Sequence, residues 1–235
     1  VLRTYCSEPV TALVLVLITL GANYLEYATL TVGLTHSYLF SLYALLLWLI
    51  PRWYERPTAA RSLQLGLLLA IICLLRPSEV LAGLLLPGYA LLYPVSLREK
   101  IRWLLRHWKA LLLILLAGLI GISPQLAYWK INLGHWIHNG YAEHHFDFLR
   151  PHLWEGLFGY RKGWLLYTPL MVLPLLGLPL MFRYRHPWAL PVTLFFFIHL
   201  YITFSWHIWW YGSTFGSRAM VQAYALLSLP LGLLL

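Results

Sequence analysis

The chain has 235 residues, of which 60% are hydrophobic and only 11% are charged, and its formal net charge is +9. Soluble globular domains carry about 25% charged residues, so this composition excludes an ordinary soluble domain. The positive charge does not indicate nucleic acid either, because the basic residues lie in short segments between apolar runs and form no nucleic-acid-binding motif. We expect an all-α, polytopic membrane protein.

A helix that crosses a bilayer needs about 20 mostly apolar residues, and eight stretches of the chain approach this pattern. They are residues 10–25, 36–50, 62–75, 80–96, 110–128, 164–182, 188–206 and 219–235. The pattern predicts a bundle of about eight transmembrane helices that forms a single domain over residues 1–235. The chain begins with Val1 rather than Met, and we therefore expect it to be part of a longer protein.

Two of these spans are predicted to be irregular. The third is short and ends in the turn 76–79, whose arginine and glutamate require a protein or aqueous environment rather than lipid. The sixth contains Pro169, Pro174 and Pro179. Each proline removes a backbone donor, so we expect this span to bend.

The basic residues indicate which loops share a membrane face. Eleven of the 17 Lys and Arg residues fall on one predicted face: Arg3, Arg52, Arg56, Arg61, Arg98, Lys100, Arg102, Arg106, Lys109, Arg183 and Arg185. Because basic residues concentrate on the cytoplasmic side of membrane proteins, both ends of this chain are predicted to be cytoplasmic. The longest polar loop, residues 129–163, and the segment 205–218 are then predicted to be extracytoplasmic.

The outer loop contains many side chains suited to acid–base or anion-binding chemistry. Its ionisable residues include Glu143, Asp147, Glu155, His135, His138, His144, His145 and His152. We take Glu143 and Asp147 as candidate acid–base residues; alternatively, the segment is an ordinary solvated loop beside an aromatic belt. His135 and His138 with Glu143 or His144 offer zinc ligands, but their spacing matches no established zinc motif. We therefore assign no metal ligands, and a divalent metal is the one cofactor left open.

Four cations are predicted to lie near outer helix ends: Arg76, Arg161, Lys162 and Arg218. Arginine binds phosphate in a bidentate manner and lysine adds a point charge, so these side chains are candidates for holding the phosphate of a lipid-linked donor. The alternative is that each side chain extends to the lipid headgroups. For Arg161 and Lys162 we favour that alternative, whereas the turn around Arg76 favours a buried pair or a ligand contact.

The segment SWHIWWYGSTFGSR, residues 205–218, places three tryptophans and a tyrosine before a loop rich in glycine and serine. Trp and Tyr are enriched at both membrane surfaces, and Trp206 fits the role of an interfacial anchor. The candidates for a sugar- or lipid-binding wall are His36, Trp209, Trp210 and Tyr211. His199, near the middle of the seventh span, is expected to hydrogen-bond to a neighbouring helix.

Several segments in this order resemble the bacterial GT-C superfamily of multi-spanning glycosyltransferases, which includes protein mannosyltransferases and the aminoarabinose transferase of lipid A. These segments are LGANYLEYATLTVGLTHSYLF, LLRPSE, SPQLAYWKINLGHW, FDFLRPHLWEGLFGYRKGWLLYTPL and WWYGSTFGSR. The resemblance implies an enzyme of the bacterial inner membrane that takes a sugar from a polyprenyl-phosphate donor. Its active site would open to the periplasm, and transfer would invert the anomeric centre.

In that family the key acid is typically an aspartate in the first outer loop. The corresponding turn of this chain contains Glu26 and no aspartate, so we expect the principal aspartate to lie upstream of Val1. The partners implied are a polyprenyl-phosphate-linked sugar, membrane lipids and other membrane subunits. Two alternatives stay open: a non-catalytic scaffold or accessory subunit, and a transporter, which the lack of an inverted repeat disfavours.

Overall fold

The computed structural model describes residues 1–92, 96–138, 144–212 and 214–235. This part of the chain is all-helical, as predicted, and contains twelve α-helices. They are α1 Glu8–Gly21, α2 Tyr24–Thr29, α3 Thr35–Glu55, α4 Ala59–Leu75, α5 Leu85–Gly88, α6 Leu97–Arg106, α7 Trp108–Leu133, α8 Leu153–Phe158, α9 Trp164–Tyr167, α10 Val172–Arg183, α11 Ala189–Ser205 and α12 Tyr224–Leu234. The 3-10 helices are Leu2–Thr4, Pro77–Leu84, Pro169–Met171 and Arg218–Ala223.

The helices are shorter and more broken than eight uniform spans. Within the described residues, only α7 is both long and apolar enough to cross a bilayer by itself, and five other apolar helical segments have 10–17 residues. The predicted span over 80–96 is a 3-10 helix followed by the single turn α5. Pro87, within this segment, supplies no backbone donor to a continuous α-helix. The sixth span is interrupted at Thr168, before Pro169, as expected for that proline, whereas Pro174 and Pro179 lie within α10.

Contacts between distant segments define two ends of the bundle. At the loop end, formed by residues 22–34, 76–79, 144–163, 206–212 and 214–218, the Tyr27 hydroxyl donates to the Phe215 carbonyl over 2.6 Å. At the basic end, formed by residues 1–7, 52–61, 89–109 without 93–95, and 183–189, the Ala90 amide donates to the Pro187 carbonyl over 2.9 Å. The segments predicted to share one face therefore meet at one end.

Helix α12 and the 3-10 helix before it form the centre of the bundle. Every residue from Ala219 to Gly232 is buried, and this segment contacts α1, α3, α10 and α11. A helix that is apolar on all sides must lie in a protein core or in lipid, and here neighbouring helices cover it completely. The residues of this segment that carry polar groups, including Gln222, consequently need partners inside the protein.

Helices α4 and α7 run parallel and pack closely through small residues. A side chain at Gly66 would lie 2.6 Å from the Cβ of Ala117 and still closer to the backbone oxygen of Ile114. A side chain at Gly121 would likewise lie 2.6 Å from the Cβ of Ala70. Small residues at such a crossing allow two helix backbones to approach, which is a common way for helices to associate in membranes.

Gly66→Ala is expected to lower the free energy of unfolding by about 1–3 kcal/mol, because the added methyl group meets backbone that can move only with its helix. Gly83→Ala is the matched control, since a side chain there has no neighbour within 4 Å. Thermal unfolding of both variants in detergent measures the difference. Equal unfolding temperatures for the two variants would contradict the close approach of α4 and α7 at Gly66.

His186 is buried at the basic end, and burial disfavours the charged form of its ring. Its Nδ1 accepts from the Trp188 amide over 3.2 Å, and its ring lies 4.4 Å from that of Tyr5. Burial lowers the pKa of His186 to about 4 from 6.5. As the pH falls, the His186 ring is therefore protonated in the unfolded state before it is protonated in the folded state.

We expect the contribution of His186 to stability to be complete above pH 6.5 and to be lost as the pH falls from 6.5 towards 4. His186→Asn retains an acceptor for the Trp188 amide but does not titrate, so its unfolding temperature should decrease less between pH 7 and pH 5. Thermal unfolding at both pH values checks this. An equal decrease of the unfolding temperature in the variant and the wild type would show that other groups cause the pH dependence.

Candidate functional site

The segment 204–207 is paired with the segment 145–152 at the loop end. The Asp147 amide donates to the Ser205 carbonyl over 2.7 Å, and the His152 amide donates to the Phe204 carbonyl over 2.8 Å. The rings of His145 and His207 stack with their centroids 4.7 Å apart. These contacts join the outer loop to the end of α11 and position the residues that follow it.

The chain turns sharply at Tyr211 and Gly212, which have φ angles of 50° and 78°. A left-handed conformation is unusual for tyrosine and is kept only where surrounding contacts favour it. Here the Tyr211 hydroxyl donates to the Thr203 carbonyl over 2.9 Å. The turn thereby directs the Tyr211 side chain back along α11, beside the guanidinium of Arg76, which lies 5.9 Å from the ring centre.

The four predicted phosphate-binding cations all lie around this turn, although they come from three separate parts of the chain. Lys162 is buried and donates to the Gly212 carbonyl and, over 3.2 Å, to the Thr214 hydroxyl. The guanidinium of Arg161 lies 3.7 Å from the centre of the Trp210 ring. The expectation that Lys162 extends to lipid headgroups is therefore wrong, because loop carbonyl and hydroxyl groups bind its ammonium instead.

The pKa values of the loop residues indicate that these positive charges are close together. Burial lowers the pKa of Lys162, and the charges of Arg218 and Arg161 lower it further while Glu26 opposes them. Burial raises the pKa of Tyr211, and the charges of Arg76 and Arg218 oppose that change. Arg218 thus lies within electrostatic range of both residues. An anion in this region would relieve the repulsion between the cations.

Glu26 is the carboxylate next to the cations. It lies on the short helix α2, and its Oε1 accepts from the Phe215 amide over 3.4 Å and from the Thr31 hydroxyl over 3.5 Å. The Glu26 side chain is partly exposed, and its charge raises the pKa of nearby Lys162. A partly exposed carboxylate beside a cluster of cations is placed to accept a proton from a bound hydroxyl group.

A second, buried group of polar residues connects the Arg76 turn to the centre of the bundle. Glu79 is only 1% exposed. Its Oε2 accepts from the Tyr43 hydroxyl over 2.6 Å, and its Oε1 accepts from the side-chain amide of Gln222 over 3.0 Å. The Nδ1 of His199 lies 4.0 Å from the same carboxylate. Glu79 is thus held by hydrogen-bond donors from two separate helical segments, with the His199 ring nearby.

The contacts of His36 favour one tautomer of its ring. Its Nδ1 lies 2.9 Å from Oε1 of Gln222 and 3.3 Å from a guanidinium nitrogen of Arg76. The Gln222 oxygen only accepts and the arginine only donates, so one Nδ1 atom can satisfy one of them at a time. The shorter distance and the commitment of the Gln222 amide to Glu79 favour a proton on Nδ1. The bonds then run in one direction, from His36 through Gln222 to Glu79.

The remaining predicted site residues have different surroundings. Oδ1 of Asp147 accepts from the amides of Leu149 and Arg150 over 3.2 and 3.0 Å, so this carboxylate stabilises a turn. Trp209 packs against the hydrophobic core, and the Arg161 guanidinium lies over the ring of Trp210.

Glu143 lies outside the described residues. Its candidate role stays a prediction, as does the sugar- or lipid-binding role of His36, Trp209, Trp210 and Tyr211.

Sequence reasoning did not identify Tyr43 and Gln222 as partners of Glu79. A glutamine within the otherwise apolar stretch 219–235 was the available signal, because a buried amide needs hydrogen-bond partners. The expectation for His199 is confirmed, since its Nε2 lies 2.8 Å from the Ala219 carbonyl of the neighbouring helical segment. Among the described residues, no group of three or more His, Cys, Asp or Glu side chains is arranged to hold a metal ion.

No protein-family model matches this chain, and no curated protein or solved structure shows detectable similarity to it.

Proposed function

We propose that this chain is a membrane glycosyltransferase that moves a sugar from a polyprenyl-phosphate donor to an acceptor at its loop end. The observation that carries the proposal is the convergence of Arg76, Arg161, Lys162 and Arg218 around the Tyr211 turn. Glu26 offsets part of the positive charge that folding brings together, and a bound anion would offset more of it. The phosphate of a lipid-linked sugar supplies one, and the ordered motifs that resemble the GT-C superfamily support this choice.

The cations would contribute to the reaction as well as to binding. When the bond between the anomeric carbon and the phosphate oxygen breaks, negative charge grows on the leaving phosphate. Arginine and lysine groups held in place before the reaction stabilise that charge without reorganising. Lys162 is already fixed by Gly212 and Thr214, and Arg161 by Trp210.

The acid–base role is best assigned to Glu26. It lies near Lys162 and is held by the Phe215 amide, whereas the Asp147 carboxylate is engaged in a turn. Glu26 would accept the proton of the acceptor hydroxyl as that oxygen attacks the anomeric carbon from the side opposite the phosphate. The aromatic side chains of 209–211 would then line the sugar and the start of the prenyl chain.

Placement in a bilayer is part of this proposal. We propose about eight membrane-crossing segments, some of them shorter than 18 residues or broken, with both ends of the chain cytoplasmic and the loop end periplasmic at the bacterial inner membrane. Apolar side chains on α7 support it, because Leu119, Ile120 and Ile131 are 54%, 68% and 81% exposed. Such a surface is stable in lipid and costly in water.

The test is a transfer assay on the purified full chain in proteoliposomes, with a series of polyprenyl-phosphate donors whose sugars are radiolabelled. We expect label to pass to an acceptor from at least one donor, and Glu26→Gln to reduce that rate by roughly 100-fold or more. Donor binding without transfer would favour the alternative of a non-catalytic subunit. Absence of both binding and transfer across the series would overturn the proposal.

A further inference from the structure

One face of α6 is fixed against the basic end of the bundle. Lys100 is buried, its ammonium lies 3.5 Å from the centre of the Tyr54 ring, and it donates to the Tyr89 carbonyl. Trp103, one turn further along, has its ring 4.7 Å from that of Tyr54 and 5.4 Å from that of Trp53. These contacts determine which sides of α6 remain uncovered.

The N-terminus of α6 is also fixed. Ser96 and Glu99 form a capping box in which the Ser96 hydroxyl accepts from the Glu99 amide over 3.4 Å and the Glu99 carboxylate accepts from the Ser96 amide over 3.0 Å. Such caps stabilise the first turn of a helix. The helix is therefore a defined element of the fold, and its exposed sides are a defined surface.

Two exposed stripes run along the uncovered sides of α6 and into the start of α7. The apolar stripe consists of Leu97, Ile101, Leu105 and Trp108, which are 58%, 48%, 67% and 55% exposed. The basic stripe consists of Arg98, Arg102, Arg106 and Lys109, all of which are exposed. Both sets recur every three or four residues, so each follows one line along the helix.

We propose that these stripes form a binding surface for a bilayer that contains anionic phospholipids. A helix with an apolar stripe beside a basic one lies in the plane of the interface, with its apolar side chains among the acyl chains and its cations at the headgroups. Basic residues next to membrane-crossing segments bind anionic headgroups in the same way. The proposal rests on the membrane placement proposed above and is independent of glycosyl transfer.

Two observations identify a bilayer as the occupant. Only one residue, His107, separates α6 from α7, and the exposed apolar side chains continue along α7 through Leu112, Leu115 and Leu119. The apolar stripe of α6 is thus the edge of a larger apolar surface. Four cations lie along this edge, and Glu99 is the one acidic residue on the helix, so the charge complements an anionic membrane.

The test measures lipid binding by the purified full chain with native mass spectrometry. The protein in detergent is titrated with phosphatidylglycerol and, separately, with phosphatidylcholine. We expect tighter binding of phosphatidylglycerol, and we expect Arg98→Gln/Arg102→Gln to weaken that binding about 30-fold. Arg56→Gln/Arg183→Gln removes two exposed cations from the same end and should leave the binding nearly unchanged.

Arg98→Lys/Arg102→Lys keeps both charges and should retain the preference for phosphatidylglycerol, which separates loss of charge from loss of structure. Three outcomes would overturn the proposal. They are equal binding of the two lipids, equal losses in the two glutamine variants, and displacement of the lipid by soluble glycerol phosphate at similar concentration. The last outcome would identify a site for a free anion rather than a membrane surface.

Discussion

Replacing Glu79 with alanine is expected to lower the free energy of unfolding by about 2–5 kcal/mol, the largest stability effect of any single substitution considered. Glu79 is almost completely buried and accepts hydrogen bonds from Tyr43 and Gln222. Removing the carboxylate leaves both donors without their partner in a part of the protein that water does not reach. Each orphaned donor then costs its full desolvation energy. Thermal or chemical unfolding in detergent measures the loss.

A double-mutant cycle with Tyr43→Phe distinguishes this explanation from a simple loss of volume. Tyr43→Phe removes only the hydroxyl donor, so combining it with Glu79→Ala should cost less than the sum of the two separate changes. Glu79→Gln keeps an oxygen acceptor and should be less harmful than Glu79→Ala. Additive effects in the cycle, or a Glu79→Ala protein as stable as wild type, would show that the bonds to Glu79 contribute little.

Under the proposed function, Arg218→Ala is expected to reduce the transfer rate by roughly 10- to 100-fold, because a charge-assisted hydrogen bond to the donor phosphate would contribute about 1.5–3 kcal/mol. Arg218 begins the 3-10 helix that leads into α12, and its charge acts on both Lys162 and Tyr211. The change therefore removes one positive charge from the cluster. Initial rates of transfer from the labelled donor measure the effect.

Two controls make this result specific. Arg183→Ala removes an exposed cation at the opposite end of the bundle and should leave the rate unchanged. Arg218→Lys keeps the charge but loses the planar, bidentate geometry, so it should recover only part of the activity. A transfer rate for Arg218→Ala equal to that of Arg183→Ala, at equal expression and stability, would exclude Arg218 from the donor site.

The helical class of the protein and the break in the sixth span were predictable from the sequence, because both depend on local chemistry. Runs of apolar residues favour helices whose backbone donors and acceptors are paired internally. Pro169 favours the break at Thr168, because its ring nitrogen has no proton to donate and its ring disfavours a helical conformation in the preceding residue. The segment 77–92 was less predictable. Its apolar composition suits a span, but it connects the two ends partly as a 3-10 helix.

The candidate site was only partly predictable. Arg76, Arg161, Lys162 and Arg218 were identified as cations at helix ends, because the hydropathy pattern shows where helices end. The conformation of Lys162 was not foreseen, since its partners at Gly212 and Thr214 follow about 50 residues later. No local rule relates such positions, and a lysine next to a tryptophan more often extends to the membrane surface.

The composition and order of residues alone determined that this chain forms apolar helices, with one end richer in basic residues than the other. Tertiary structure alone decided which polar groups meet. Gln222 lies 143 positions from Glu79 and 186 from His36, yet it bonds to both. The physical reason is that a buried polar group must find a partner, while the choice of partner depends on which helices pack together. That choice depends on side-chain shape across the whole bundle, as at the Gly66 crossing of α4 and α7.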